Sequence, residues 1–256
     1  MSRMHHLAAL LGLTMGVALA TLPSDAGAAS LPGKAPWLTV GTNSYAYPQF
    51  SQAGQARWFR VALKQGKDYA VYGYDRLDDT ETAATLTLYN AKGQQLLSVG
   101  SLLDLIPGNT LGAEFRAPAT DTYWIKVVGH PTSAPKEVGV GVSADCREGP
   151  KTKCILAVGE NVKGNFNFLN DADWHRVAAK ASRDYTVTVT GGVYGAAVQV
   201  VDRDGANIAY CRSNETAQPC EAKFKAKYQG AYYLHLIYAN DYDESVGSYT
   251  VALATP

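Results

Sequence analysis

Apolar and polar positions alternate with a period of two through most of the chain. Thr122-Tyr-Trp-Ile-Lys-Val-Val128, Val138-Gly-Val-Gly-Val142 and Tyr249-Thr-Val-Ala-Leu253 are clear cases. The runs are short and rich in Val, Tyr, Thr and Leu, the residues that suit a half-buried pleated surface. Asn90-Ala-Lys-Gly93 and Asp202-Arg-Asp-Gly205 fall between apolar runs and predict hairpin turns. Beyond the first thirty residues no segment sustains a helical period, so the pattern predicts an all-β protein of many short strands.

The same blocks occur twice, in the same order. Ala56-Arg-Trp-Phe-Arg-Val-Ala-Leu-Lys64 aligns with Ala172-Asp-Trp-His-Arg-Val-Ala-Ala-Lys180, and Lys67-Asp-Tyr-Ala-Val71 with Arg183-Asp-Tyr-Thr-Val187. Leu86–Gly93 answers Val198–Gly205, Phe115-Arg-Ala answers Phe224-Lys-Ala, and Thr122–Val128 answers Ala231–Ile237. An ordered repeat of this kind predicts two copies of one unit. The expected organisation is a signal peptide over 1–29, a β-sandwich over 30–145, a linker over 146–154 and a second sandwich over 155–256.

Composition adds compartment and removes one class of partner. Arg3, His5 and His6, an apolar stretch from Leu7 to Leu22 and Ala26-Gly-Ala-Ala29 have the order of a cleaved secretory signal. After cleavage no segment is apolar enough to span a bilayer. Lys plus Arg and Asp plus Glu are both 23, so nothing marks the chain for nucleic acid. The four cysteines, Cys146, Cys154, Cys211 and Cys220, suit an oxidising compartment, periplasmic or extracellular. Of the three pairings, the two local ones, Cys146–Cys154 and Cys211–Cys220, are preferred. A zinc site lacks the usual ligand spacing.

The repeated blocks resemble the bacterial pre-peptidase C-terminal (PPC) domain, related to collagen-binding β-sandwiches. The resemblance is carried by Asp171-Ala-Asp-Trp174, Asp184-Tyr185, the Asp202–Gly205 turn and Gly230-Ala-Tyr-Tyr233 in the second copy. In the first copy it is carried by Trp58-Phe-Arg-Val61, Gly66, Tyr69 and Gly93. That copy departs from the pattern at Ala56-Arg57, where acidic residues are usual, and at Asp121, where Gly is usual. The resemblance implies two tandem jelly-roll-like β-sandwiches. It also implies a non-catalytic accessory that binds an insoluble polymer, sometimes with calcium.

Candidate sites follow from residue chemistry. Alternation places Ile125 inward and Trp124 outward, and by the same logic Tyr233 and His235 outward. Tyr72 and Tyr74, opposite Tyr69 and Val71, are expected to face solvent too. These five are the candidate ligand-binding residues, since exposed flat rings grip sugars and polypeptide surfaces. They can equally cover apolar neighbours. Asp171 with Asp173, and Asp241 with Asp243, are the oxygen-rich clusters that would suit calcium, although solvated turns carry such residues as well. Trp58 and Trp174, shared by both copies, read as fold-maintaining aromatics. His175 replaces Phe59 on the inward face beside Asp171 and Asp173, which leaves a hydrolase as a minor alternative. No nucleophile turn or paired-histidine metal motif supports it. Gly139–Ala144 matches a loose dinucleotide pattern but has no following helix, and Asn214-Glu-Thr216 is a sequon. The sequence thus predicts an exported binding or adhesion module for a polysaccharide or protein polymer. The alternative is an accessory or inhibitor of a secreted protease or another envelope protein.

Overall fold

The computed structural model describes residues 28–41, 44–75, 84–99, 110–129, 138–147, 149–168, 171–191, 196–213, 218–238 and 247–256. The expected signal peptide lies almost wholly outside them, as do Asp241, Asp243 and the sequon. Among the described residues no helix is long and apolar enough to cross a membrane.

The first half forms β1 (Tyr45–Ala46), β2 (Ala56–Leu63), β3 (Asp68–Asp75), β4 (Ala84–Tyr89), β5 (Gln95–Val99), β6 (Thr110–Arg116), β7 (Asp121–Gly129) and β8 (Val138–Ala144). The second forms β9 (Asn161–Phe166), β10 (Ala172–Ala179), β11 (Asp184–Gly191), β12 (Ala196–Val201), β13 (Asn207–Arg212), β14 (Pro219–Lys225), β15 (Gly230–Tyr238) and β16 (Gly247–Ala254). They make four four-stranded antiparallel sheets. The first half contains β1-β8-β3-β6 and β2-β7-β4-β5; the second contains β9-β16-β11-β14 and β10-β15-β12-β13. Taken in chain order, the two halves have the same strand order throughout. The protein is an all-β sandwich structure.

Each half closes over its own core. In the first, Phe59, Val61, Tyr123, Ile125 and Val127 of one sheet meet Tyr69, Val71, Val138, Val140 and Val142 of the other. In the second, Val177, Tyr232, Leu234 and Leu236 meet Tyr185, Val187, Tyr249, Val251 and Leu253. Most are under 3% exposed. Each large side chain removed from water in this way contributes about 1.5–3 kcal/mol.

The predicted hairpin turns form, and the side chain of their first residue explains them. Asn90 Oδ1 accepts from the backbone N–H of Lys92 and Gln94 at 2.9 and 3.0 Å. Asp202 Oδ1 accepts from Asp204 and Ala206 at 3.0 and 2.9 Å. Gly93 and Gly205 then take positive φ, 74° and 83°, which glycine adopts at little cost. The cysteines pair as Cys146–Cys154 and Cys211–Cys220. The second bond joins β13 to β14 and so ties the two sheets of the second half together.

One expectation changes. Tyr72 does point away from the core, as alternation predicts, yet it is 1% exposed. Its ring lies against Gly141 of β8, where a Cβ would come within 2.5 Å of it, and Tyr45 covers it edge-on at 5.6 Å. The outer face of this sheet is therefore an interior surface, and Tyr72 is not open to a ligand. Cys146 and Cys154, at the two ends of the expected linker, lie against β10. Cys146 O and Cys154 O accept from the N–H of Trp174 and Arg176, each at 2.8 Å.

Candidate functional site

Two places carry chemistry: the outer faces of β2-β7-β4-β5 and β10-β15-β12-β13, and the junction between the halves.

On the first outer face, Trp58 pairs across strands with Lys126, and Arg60 with Trp124. Trp58 packs on Tyr89 with ring centroids 5.3 Å apart, and Lys126 Nζ lies 5.6 Å from the Trp58 ring. The Arg60 guanidinium lies 4.6 Å from the ring centroid of Trp37, which is 55% exposed. Such cation–π contacts stiffen a ring that stays open to solvent. Trp124 is half-buried, and its indole N–H donates to Pro32 O at 3.4 Å. On the second outer face Trp174 stacks on His235 at 4.8 Å and lies 6.2 Å from Tyr233. Tyr210 is half-exposed there. The structure thus puts Trp124, Tyr233 and His235 outward, as expected, with much of each ring already covered by neighbours. Tyr74 belongs to β3, but its side chain lies outside what is described.

Trp37, the most exposed aromatic ring among the described residues, escaped the sequence reading. Trp37 and Ile155 each make a parallel bridge to the arginine at the matching position, Arg60 and Arg176. The signal was present in Trp37-Leu-Thr-Val-Gly41 and Ile155-Leu-Ala-Val-Gly159, a further repeated block.

At the junction, chain from both halves meets. The Phe168 ring sits where a Cβ at Gly112 of β6 would lie, only 2.6 Å away. Ser143 Oγ donates to Asn167 Oδ1 at 2.7 Å. Around these contacts are four acidic side chains: Glu114 of β6, Asp145 after β8, Asp171 before β10 and Asp173 in β10. Asp171 and Asp173 are 3% and 2% exposed. Asp173 Oδ1 accepts from the N–H of Cys146 at 3.1 Å, and Asp171 Oδ2 from that of Asn167 at 2.6 Å. Asp145 Oδ2 and Asp171 Oδ1 are buried without a hydrogen-bond partner. Carboxylate oxygens of Glu114, Asp145 and Asp171 lie within 4.8 Å of one another. Two unit charges at that separation repel by about 3.5 kcal/mol at an effective dielectric of 20.

Cationic relief is partial. Arg147 Nε is 3.7 Å from Glu114, while Arg116 is engaged by Asp68 through two 2.7 Å bonds. Lys64, Lys67, Lys153 and Lys163 line a groove of about 640 Å³ that opens between the halves, with Asp145 and Asp173 also in its wall. Burial, reinforced by the neighbouring acids, raises the Asp145 carboxyl to about 6 and those of Asp171 and Asp173 well above the usual range.

His175 is 1% exposed, and its Nε2 is 2.9 Å from the Tyr249 hydroxyl. Burial lowers its pKa to about 4. Its enclosure is that of a core histidine. Cys146, Cys154 and His175 also converge, but the disulfide leaves no thiolate to bind a metal. Of the expected pair, Asp171 converges with Glu114 and Asp145, and Asp173 meets the Asp145 carboxyl beside them. Glu114 and Asp145 were not foreseen.

No protein-family model matches the chain, and no curated protein matches it. Among solved structures it is similar to the pre-peptidase C-terminal domain of collagenase from Bacillus anthracis. That match has 22% identity and a TM-score of 0.34, and covers 42% of this chain and 99% of the other. It is also similar to the PBSX exported protein XepA, at 12% identity and a TM-score of 0.25, covering 82% and 84%. Tripeptidyl peptidase 2 matches at 8% identity and a TM-score of 0.27, over 85% of this chain and 24% of that one.

Proposed function

We propose that this protein is an exported, non-catalytic binding module that holds a polysaccharide or protein polymer against the aromatic outer faces of its sandwiches. The observation that carries this reading is Trp37, an open indole braced by Arg60 on a face that also presents Trp58, Tyr89 and Lys126. Rings fixed in place before contact lose little freedom on binding, so their contact area converts to affinity with small entropic loss. The face recurs in the second half around Trp174, Tyr233 and His235. Two copies of one weak site gain avidity on a repeating ligand. Export to the periplasm or beyond is supported by the signal-like N-terminus and by two disulfides. The enclosure of His175 supports a non-catalytic role.

The test is co-sedimentation of the purified protein with insoluble collagen, chitin, cellulose and peptidoglycan. Retention on one of these should fall about tenfold or more in Trp37→Ala with an unchanged melting temperature. If no polymer retains the protein, or if Trp37→Ala binds as the parent does, the reading is wrong.

A further inference from the structure

We propose that the groove between the halves takes an extended acidic peptide segment of a partner protein, which pairs along the open edge of β9. Lys163, Gly164 and Asn165 all line the groove. Consecutive residues of a strand point to opposite faces, so a groove that touches three in a row runs along the strand's edge. β9 is the outermost strand of its sheet, bonded on one side to β16. An outermost strand turns a row of N–H and C=O groups outward, and an extended chain can bond to them as a further strand. Asn165 O is engaged by the Asn167 side chain at 3.0 Å, so the pairing stretch is centred on Val162–Gly164. An added strand occupies about 160 Å³ per residue, from a rise of about 3.3 Å, a strand spacing of about 4.8 Å and a layer of about 10 Å. The groove, at about 640 Å³, therefore holds about four residues.

Charge selects the segment. Lys64, Lys67, Lys153 and Lys163 line the groove from both halves, and among the described residues none of them is in an ion pair. The three acids in the wall offset little of this. Asp68 is bound by Arg116 through two 2.7 Å bonds. Asp173, 2% exposed, keeps its proton because burial holds its carboxyl well above the usual range. That leaves Asp145 against four ammonium groups. Lysines along an edge repel most strands, including a second copy of β9, and admit one whose side chains neutralise them. The interaction is separate from the outer-face reading, since Trp37, Trp58 and Tyr89 do not line this groove.

The experiment is fluorescence anisotropy of the purified protein with a labelled hexapeptide of alternating valine and glutamate. Binding should weaken about tenfold as salt rises from about 0.05 to about 0.2 M. The same peptide with lysine for glutamate should bind at least tenfold more weakly. So should the acidic peptide to K67E/K163E, which reverses one exposed lysine in each wall and should keep the parent's melting temperature. N-methylation of alternate peptide amides removes backbone donors without changing charge, and it should also cost at least tenfold. Amide hydrogen exchange at Val162–Gly164 should slow when the peptide is bound. Trp37→Ala should bind the peptide as the parent does, which separates this result from polymer retention on the outer face. The proposal is overturned if the acidic peptide does not bind, or if K67E/K163E binds it unchanged. It is also overturned if the N-methylated peptide or polygalacturonate, a polysaccharide of like charge, binds as tightly, since the groove would then take any polyanion.

Discussion

The folded protein should become less stable as pH rises from 4 towards 7. Asp145, Asp171 and Asp173 keep their protons in the folded state at pH values where the unfolded chain has released them. Below 3.8 both states are protonated and nothing is lost; above it, each group costs more until the pH passes its folded value. For Asp145, displaced from 3.8 to about 6, the full cost is about 3 kcal/mol at 1.4 kcal/mol per unit. His175 acts in the opposite sense. Its pKa is lowered from 6.5 to about 4, so its contribution is complete above 6.5 and shrinks as pH falls, by about 3 kcal/mol at pH 4. These two nearly cancel. The sign is therefore left to Asp171 and Asp173, each worth about 1.4 kcal/mol per pH unit while the pH is below its folded value. The facing guanidinium groups do not offset this, since Arg116 is bound to Asp68 and Arg147 lies 3.7 Å from Glu114. Urea unfolding at pH 5 and pH 7 measures the difference. Greater stability at pH 5 is expected, with a shallower slope in Asp173→Asn. A stability that rises from pH 5 to pH 7 would refute the reasoning.

Three further outcomes test the scaffold. Gly141→Ala should lower the urea midpoint by about 1–3 kcal/mol equivalent, since its methyl would meet the enclosed Tyr72 ring 2.5 Å away. Replacing Cys211 and Cys220 together by serine opens a loop of nine-residue separation. The loss should be about 2.5 kcal/mol on the chain-entropy account, read by thermal melting. Leu234→Ala, at a fully buried position between the sheets of the second half, should lose about 2–5 kcal/mol in denaturant titration.

Alternation and repetition made the architecture legible. Both report on local chemistry: a strand needs one apolar face, and a turn such as Asn90–Gly93 needs an Asx side chain and a glycine. Tyr72 shows where that information ends. Alternation gives its direction, but not that Gly141 and Tyr45 would enclose it. Glu114 was illegible for a similar reason, because an acidic residue within Thr110-Leu-Gly-Ala-Glu-Phe-Arg116 reads as solvated until another segment is laid against it. Trp37 was overlooked although it was legible, because its repeat partner is Ile155 and only the surrounding Leu-x-Val-Gly is shared.

Divergence between the copies is where the chemistry collects. Residues that build the sandwich, such as Val61 and Val177 or Tyr123 and Tyr232, stay apolar and inward in both. At the start of the first outer strand the two copies differ in charge: Gln55 and Arg57 in one, Asp171 and Asp173 in the other. Arg57 reaches the exposed carbonyl of Gln49 at 2.7 Å, an ordinary surface contact. Asp171 and Asp173 have the first half packed over them and cannot be solvated in that way. Buried acids without matching cations weaken a fold unless protons or a metal neutralise them. Here that cost falls on the joint between the halves and, through the contact of Asp173 with Tyr249, on the edge of the second core, so the protonation of these acids should set how firmly the joint is held.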